Sequence, residues 1–228
     1  MTAPRLLKRD LFGTVTLHGC AGQCSDDVRS DHVVPTDVFI RRDTRAARWW
    51  LRSLARALAR REARALTRLA TIPGVPRLHA FDGHRLDREW LPGEPMQVGR
   101  PRDRAYYRSA LLLIRRLHAR RVVHNDLAKE PNWLVTSAGP ALVDFQLAWT
   151  VRRRGRLFRA LAHDDLRHML KHKRTYLPAT LTTRERRILA TRSWPARIWM
   201  TTGKRVYLLI TRRVLHWSDR EGAGDRQL

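Results

Sequence analysis

The chain has 228 residues, 43% of them hydrophobic, and carries 46 Lys+Arg against 21 Asp+Glu, a formal net charge of +25. The apolar content excludes wholesale disorder. Two cysteines, Cys20 and Cys24, exclude a disulfide framework, and no stretch approaches the roughly 18 apolar residues of a membrane span. Only five of the basic residues are lysines, and the charge surplus points to a polyanionic partner: nucleotide phosphates, nucleic acid or an anionic membrane surface.

In chain order, residues 1–13 hold no apolar run of signal-peptide length, so a cytoplasmic protein is expected. Residues 14–17 and 38–40 are β-branched and apolar and predict two short strands, with a Gly/Asp/Ser-bearing loop over 18–31. Residues 46–70 predict a long helix, free of Gly and Pro and rich in Ala, Leu and Arg. Arginine recurs there every fourth residue from Arg48 to Arg68, and Trp50, Leu51, Leu54, Leu58, Leu66 and Leu69 form the expected apolar side. The Arg row reads as a solvated helix face or as a dedicated anion site.

Pro73-Gly74-Val75-Pro76 ends that helix, and 78–81 and 85–91 predict a hairpin around Asp82-Gly83. Pro92-Gly93-Glu94-Pro95 is a break and a lobe boundary. A second amphipathic helix is expected over 103–120, then short strands at 122–123, 133–135 and 141–143. The rest reads as mainly helical, and Thr182-Thr183-Arg184-Glu185 has the capping-box spacing that starts a helix.

The informative segment is His124-Asn125-Asp126-Leu127, running on to Asn132 and followed by Leu142-Val143-Asp144-Phe145-Gln146. Any one of these polar residues alone would be an ordinary turn residue. Together they suit phosphoryl transfer, which needs a carboxylate beside the attacking hydroxyl and separate oxygen ligands for Mg²⁺ on the triphosphate. Asp126 follows a strand and can accept or orient the hydroxyl proton. Asn132 offers a neutral carbonyl oxygen to the metal, and Asp144 follows a strand into the same cleft.

These motifs resemble the catalytic loop and metal-binding turn of the protein-kinase-like superfamily, H-x-D-L…N and D-F-x. The run is similar to small bacterial RIO-like serine/threonine kinases and to relatives of the lipopolysaccharide-core sugar kinases, with the resemblance covering roughly residues 14–174. It implies an α+β, two-lobed protein-kinase-like fold: an N-lobe over 1–91 and a reduced helical C-lobe over 92–228. It also implies ATP and Mg²⁺ as cofactors, with the adenine near Glu89, Trp90 and Leu91.

Several positions depart from the family pattern. The spacing from Asp126 to Asn132 is six residues, not the common five, so the loop is expected to bulge. Lys129 lies in that loop, either touching the γ-phosphate or solvated. The usual strand lysine is replaced: Val38-Phe39-Ile40-Arg41 aligns with V-A-I-K, putting Arg41 inward toward the phosphates and Arg42 outward. Glu62, the one acid of the long helix, has no base three or four residues away and is placed to pair with Arg41.

No G-x-G-x-x-G occurs, and the nearest candidate phosphate cover holds Gly13, Gly19 and Gly22. Cys20 and Cys24 beside His18 lack a second ligand pair for zinc. Asp164 and Asp165 either brace the catalytic loop or start a helix. There is no A-P-E segment, which argues against an ordinary peptide groove.

Residues 184–217 are basic and interleaved with Trp194, Trp199, Tyr207 and Trp217. They suit an anionic membrane interface, a nucleic acid or the core of a small helical lobe. Three functions therefore stand: a RIO-like serine/threonine kinase, a kinase of a lipid-linked sugar at the cytosolic membrane face, and a nucleotide-binding pseudokinase.

Overall fold

The computed structural model of the chain describes residues 4–19, 38–191, 193 and 194. Arg5–Asp10 (β1), which the sequence pattern did not announce, turns at Leu11 and Phe12 into Gly13–His18 (β2). Phe39–Asp43 (β3) lies beside β2 and begins the most informative register of the molecule. Gly13 enters β2 at φ 131°, and a Cβ there would stand 2.2 Å from the Asp43 carbonyl oxygen, so only glycine fits that crossing.

The long helix Arg52–Leu69 (α1) starts later than 46, after two 3₁₀ turns at Thr44–Ala46 and Trp49–Leu51. Its buried face keeps Leu66 and Leu69 of the expected apolar side but not Trp50 or Leu54. Ala55, Ala59, Glu62, Ala63, Ala65, Leu66 and Leu69 are buried, whereas Trp50 and Leu54 are 44% and 48% exposed. Small alanines let the helix backbone approach its neighbours, and the bulkier side chains of the first turns face solvent.

Leu78–Phe81 (β4) and Arg85–Glu89 (β5) form the expected hairpin and complete a five-stranded antiparallel sheet of order β1-β2-β3-β5-β4. Gly74, at φ 81°, links α1 to this hairpin. Its carbonyl accepts from the Leu142 N–H at 2.8 Å, and a Cβ would lie 2.8 Å from the Pro140 carbonyl oxygen.

Beyond the sheet come Glu94–Pro95 (β6), a single helical turn at Met96–Gly99 (α2) and Arg104–Ala119 (α3), capped by the Asp103 carboxylate accepting from the Ala105 N–H at 3.0 Å. Val122–Val123 (β7), Trp133–Thr136 (β8), Gly139–Leu142 (β9) and Trp149–Thr150 (β10) make two small antiparallel sheets, β10-β7 and β6-β8-β9.

Arg156–Tyr176 (α4) and Thr183–Ala190 (α5) end the described chain. The capping box forms as expected: the Thr182 hydroxyl accepts from the Glu185 N–H and the Glu185 carboxylate from the Thr182 N–H. Lys173 adds two short bonds to that carboxylate, at 2.7 and 2.9 Å, tying α4 to α5.

One apolar core runs from α1 (Leu66, Leu69) through α3 (Leu113, Leu117), Trp133 and Phe145 to α4 (Met169, Leu170). A smaller cluster of Leu17, Val38 and Ile40, with Val15 and Trp90 against it, sits on one face of the sheet. The architecture is thus α+β, with an antiparallel sheet in the N-terminal part and helices in the C-terminal part. No described helix is long and apolar enough to cross a membrane.

Candidate active site

The catalytic-loop candidates sit on a frame fixed from behind by α4. The buried Asp165 carboxylate accepts from the backbone N–H of His124 at 2.9 Å and of Asn125 at 3.0 Å, and from His118 Nε2 at 3.0 Å. Of the two roles open for Asp164 and Asp165, the structure gives Asp165 the brace, from mid-helix and not from a helix start. Three donors on one carboxylate hold the loop in an uncommon backbone shape: Asn125 has φ 64°. The fully buried His124 donates from Nε2 to the Val143 carbonyl at 3.1 Å and packs on Phe145.

Asp126 is the hub of the loop. Its Oδ2 accepts from Lys129 Nζ at 2.9 Å and from Asn132 Nδ2 at 3.0 Å, and its backbone carbonyl accepts from the same Asn132 amide at 2.8 Å. The extra loop residue is absorbed by a 3₁₀ turn at Glu130–Asn132 that has Pro131 near its start. Leu127 anchors the loop below, where its carbonyl accepts from Trp133 Nε1 and His172 Nε2.

Asn132 and Asp144 leave the same end of the β8–β9 hairpin. Trp133 pairs with Leu142, and the Val143 N–H donates to the Asn132 carbonyl at 3.0 Å. Asp144 has a left-handed backbone at φ 63° and accepts from Gln146 Nε2 at 2.6 Å. Burial alone would raise its carboxyl. Arg42, the Gln146 bond, Arg88 and His124 outweigh that and hold it below the ordinary carboxylate range.

The strand arginine is corrected by the structure. Arg41 does not meet Glu62: its guanidinium forks onto Asp87 at 2.7 and 2.8 Å and lies over Phe39. Arg42 takes the inward place, with Nε 3.4 Å from Glu62 Oε2 and Nη2 3.7 Å from Asp144 Oδ1. The reason is alternation. Val38 and Ile40 are buried, so Arg42 shares their face and Arg41 points away. That period was the signal available in the sequence, and alignment to V-A-I-K by adjacency slipped by one residue.

Arg88 was missed altogether. It pairs with Ile40 across β3 and β5, and its Nε lies 3.5 Å from Glu62 Oε1. Burial pushes its guanidinium pKa down, Glu62 and Asp144 oppose that and Arg42 adds to it. Glu62 is fully buried between the two arginines, and neither its oxygens nor Arg42 Nε completes a hydrogen bond.

Glu89 spends its carboxylate on the Arg77 N–H at 3.0 Å, while its own N–H donates to the Arg77 carbonyl at 2.8 Å. Trp90 packs on the Leu17–Val38–Ile40 cluster, and Leu91 is half-buried next to it. Cys20, Gly22, Cys24 and the basic segment from 195 onward lie outside the described residues, and Trp194 is 49% exposed. No group of three or more His, Cys, Asp or Glu that could hold a metal occurs among the described residues. The donor set nevertheless fits a hard cation sharing a nucleotide's oxygens: one ionised carboxylate at Asp144 and one amide oxygen at Asn132, with an under-bonded buried cation at Arg42.

Residues 35–186, about two thirds of the chain, match the family model of the RIO domain. No curated protein matches the chain.

Proposed function

The chain belongs to the RIO domain family, a protein-kinase-like family, and from that premise we propose that it is an ATP-dependent phosphotransferase acting on a serine or threonine hydroxyl. The observation that carries this reading is the convergence of Asp126, Asn132, Asp144, Arg42 and Glu62 at one junction between the sheet, α1 and the β8–β9 hairpin.

In this reading Asp126 takes the proton of the acceptor hydroxyl, held on line by Lys129 and Asn132. Asn132 Oδ1 and the Asp144 carboxylate hold Mg²⁺. Arg42 grips phosphate oxygens, and Glu62 and Arg88 keep its fork from turning away. ATP, when bound with Mg²⁺, supplies the γ-phosphoryl group. The apolar patch of Leu17, Val38, Ile40 and Trp90 receives the base. Pro92-Gly93-Glu94-Pro95 serves as the boundary between an N-terminal lobe and a C-terminal one.

The test is transfer from γ-labelled ATP to a cell lysate, separated into protein, lipid and RNA fractions. Label in protein, dependent on Mg²⁺ and on Asp126, is the expected result. Label in lipid would move the acceptor to a lipid-linked sugar. Nucleotide binding without transfer to any fraction would leave a pseudokinase.

A further inference from the structure

α1, β4 and the chain leaving β10 border an open, solvent-facing cleft of about 930 Å³. Arg60, Arg64 and Arg68 line it from α1 and Arg152 from the exit of β10, and no Asp or Glu among the described residues takes part. Leu78 and Phe81 of β4 supply apolar surface. The four-residue steps of α1 stack its three guanidiniums along one side of the helix.

None of these four arginines makes an ion pair among the described residues. Arg68 Nη1 only reaches the Val151 carbonyl, at 2.9 Å. Four like charges around one concavity repel each other, and an anion in their midst reverses the sign of that interaction. Guanidinium forks match the oxygens of a phosphate, and the apolar side suits a carbon body attached to it.

We propose that this open cleft binds an organic phosphate monoester, at a site separate from the nucleotide cleft. The phosphate lies among the four arginines, and the carbon part lies on Leu78 and Phe81. Such a ligand would clamp α1 to the segment that follows the Asp144 turn, adding to the bond from Arg68 to the Val151 carbonyl. Glu62 sits between Arg60 and Arg64 in the same helix, so the clamp also fixes the partner of Arg42. The ester should therefore tighten nucleotide binding, and the nucleotide should tighten ester binding equally. This coupling rests on the kinase reading; the ester site itself does not.

The experiment is calorimetric titration of the full chain, at constant ionic strength, with phosphotyrosine, a phosphotyrosine peptide, inorganic phosphate and sodium chloride. Saturable binding of phosphotyrosine, tighter than that of inorganic phosphate, is expected. It should fall at least tenfold in Arg60→Glu/Arg64→Glu and in Arg152→Glu, a change on an exposed strand exit that guards against misfolding of the helix variant. It should persist in Arg61→Glu, an exposed neighbour outside the open cleft, and in Arg42→Ala. A peptide binding tighter than the free amino acid would identify a phosphorylated polypeptide as the source, and equal affinity a small ester.

No saturable binding overturns the site, as does an equal loss in Arg61→Glu. Loss in Arg42→Ala with retention in Arg152→Glu would put the ester in the nucleotide cleft instead. ADP affinity unmoved by bound ester overturns the coupling. Absence of ADP binding with the ester still bound would count against the kinase reading alone.

Discussion

Asp165 and His118, 47 residues apart in sequence, meet at 3.0 Å, and the same carboxylate holds the backbone that presents Asp126. Replacing Asp165 by Ala leaves two backbone N–H groups in that loop without their acceptor, one of them buried. Each such loss costs about 1–3 kcal/mol. Thermal denaturation should show a melting temperature lower by roughly 2–4 °C for each kcal/mol, and transfer activity should fall with it. A variant with unchanged stability and activity would show that the loop holds its shape without α4.

Arg42 and Arg41 should separate sharply. Arg42→Ala removes a largely buried cation beside Glu62 and Asp144, the proposed phosphate contact, and should lower transfer by about 10²–10³-fold. Arg41→Ala breaks a partly exposed pair with Asp87 and should cost no more than about 1 kcal/mol of stability, with activity near wild type. Initial rates and ADP titrations on the two variants check this. The reverse ranking would return the phosphate contact to Arg41.

Asp144→Asn tests the metal. The carboxyl is held ionised below its ordinary range, so the wild type presents a full negative charge at neutral pH and the amide presents none. Nucleotide affinity should lose its response to Mg²⁺ or Mn²⁺ in the variant while the fold is kept. An ADP titration with and without metal that gives the same ratio in both proteins would reject Asp144 as ligand.

A pH effect follows from His168. Burial first, then Lys171 and Arg167, press its imidazole down to about 4 from an ordinary 6.5, against Asp164 and Asp165. The unfolded chain binds that proton between pH 6.5 and 4 and the folded chain does not. This contribution to stability is therefore complete above 6.5 and is lost as pH falls toward 4. Melting temperatures across that window should fall less steeply in His168→Leu than in the wild type. Parallel curves would place the titration elsewhere.

The sequence made the family and the local turns more legible than the packing. The motif of Asp126, Asn132 and Asp144 was readable because its order and spacing match the family pattern, and the structure brings Asn132 onto Asp126 and sets Asp144 at the same hairpin end. The hairpin at Asp82-Gly83 and the capping box at Thr182 were readable because their rules are local. The buried side of α1 was legible only at its C-terminal end, Leu66 and Leu69: Ala55 and Ala59 are chosen by close approach of elements distant in sequence, and no periodicity in Leu and Trp reports that. Arg88 was hidden for the same reason, being brought to Glu62 by strand register. Arg42 was legible through alternation with Val38 and Ile40, a local signal that motif alignment overrode.

The two hydrogen bonds from the Asn132 amide to Asp126 set a limit on redesign. A carboxylate at 132 would look like a stronger cation ligand, yet Asn132→Asp would place an acceptor where Asp126 Oδ2 now finds a donor at 3.0 Å. The two acids would then share a proton or repel, and the proposed proton acceptor, Asp126, would be titrated by its own neighbour. In the proposed mechanism position 132 is thus a two-sided part, its nitrogen bonded to Asp126 and its oxygen left for the cation. Among the standard side chains of that length, only an amide has both ends.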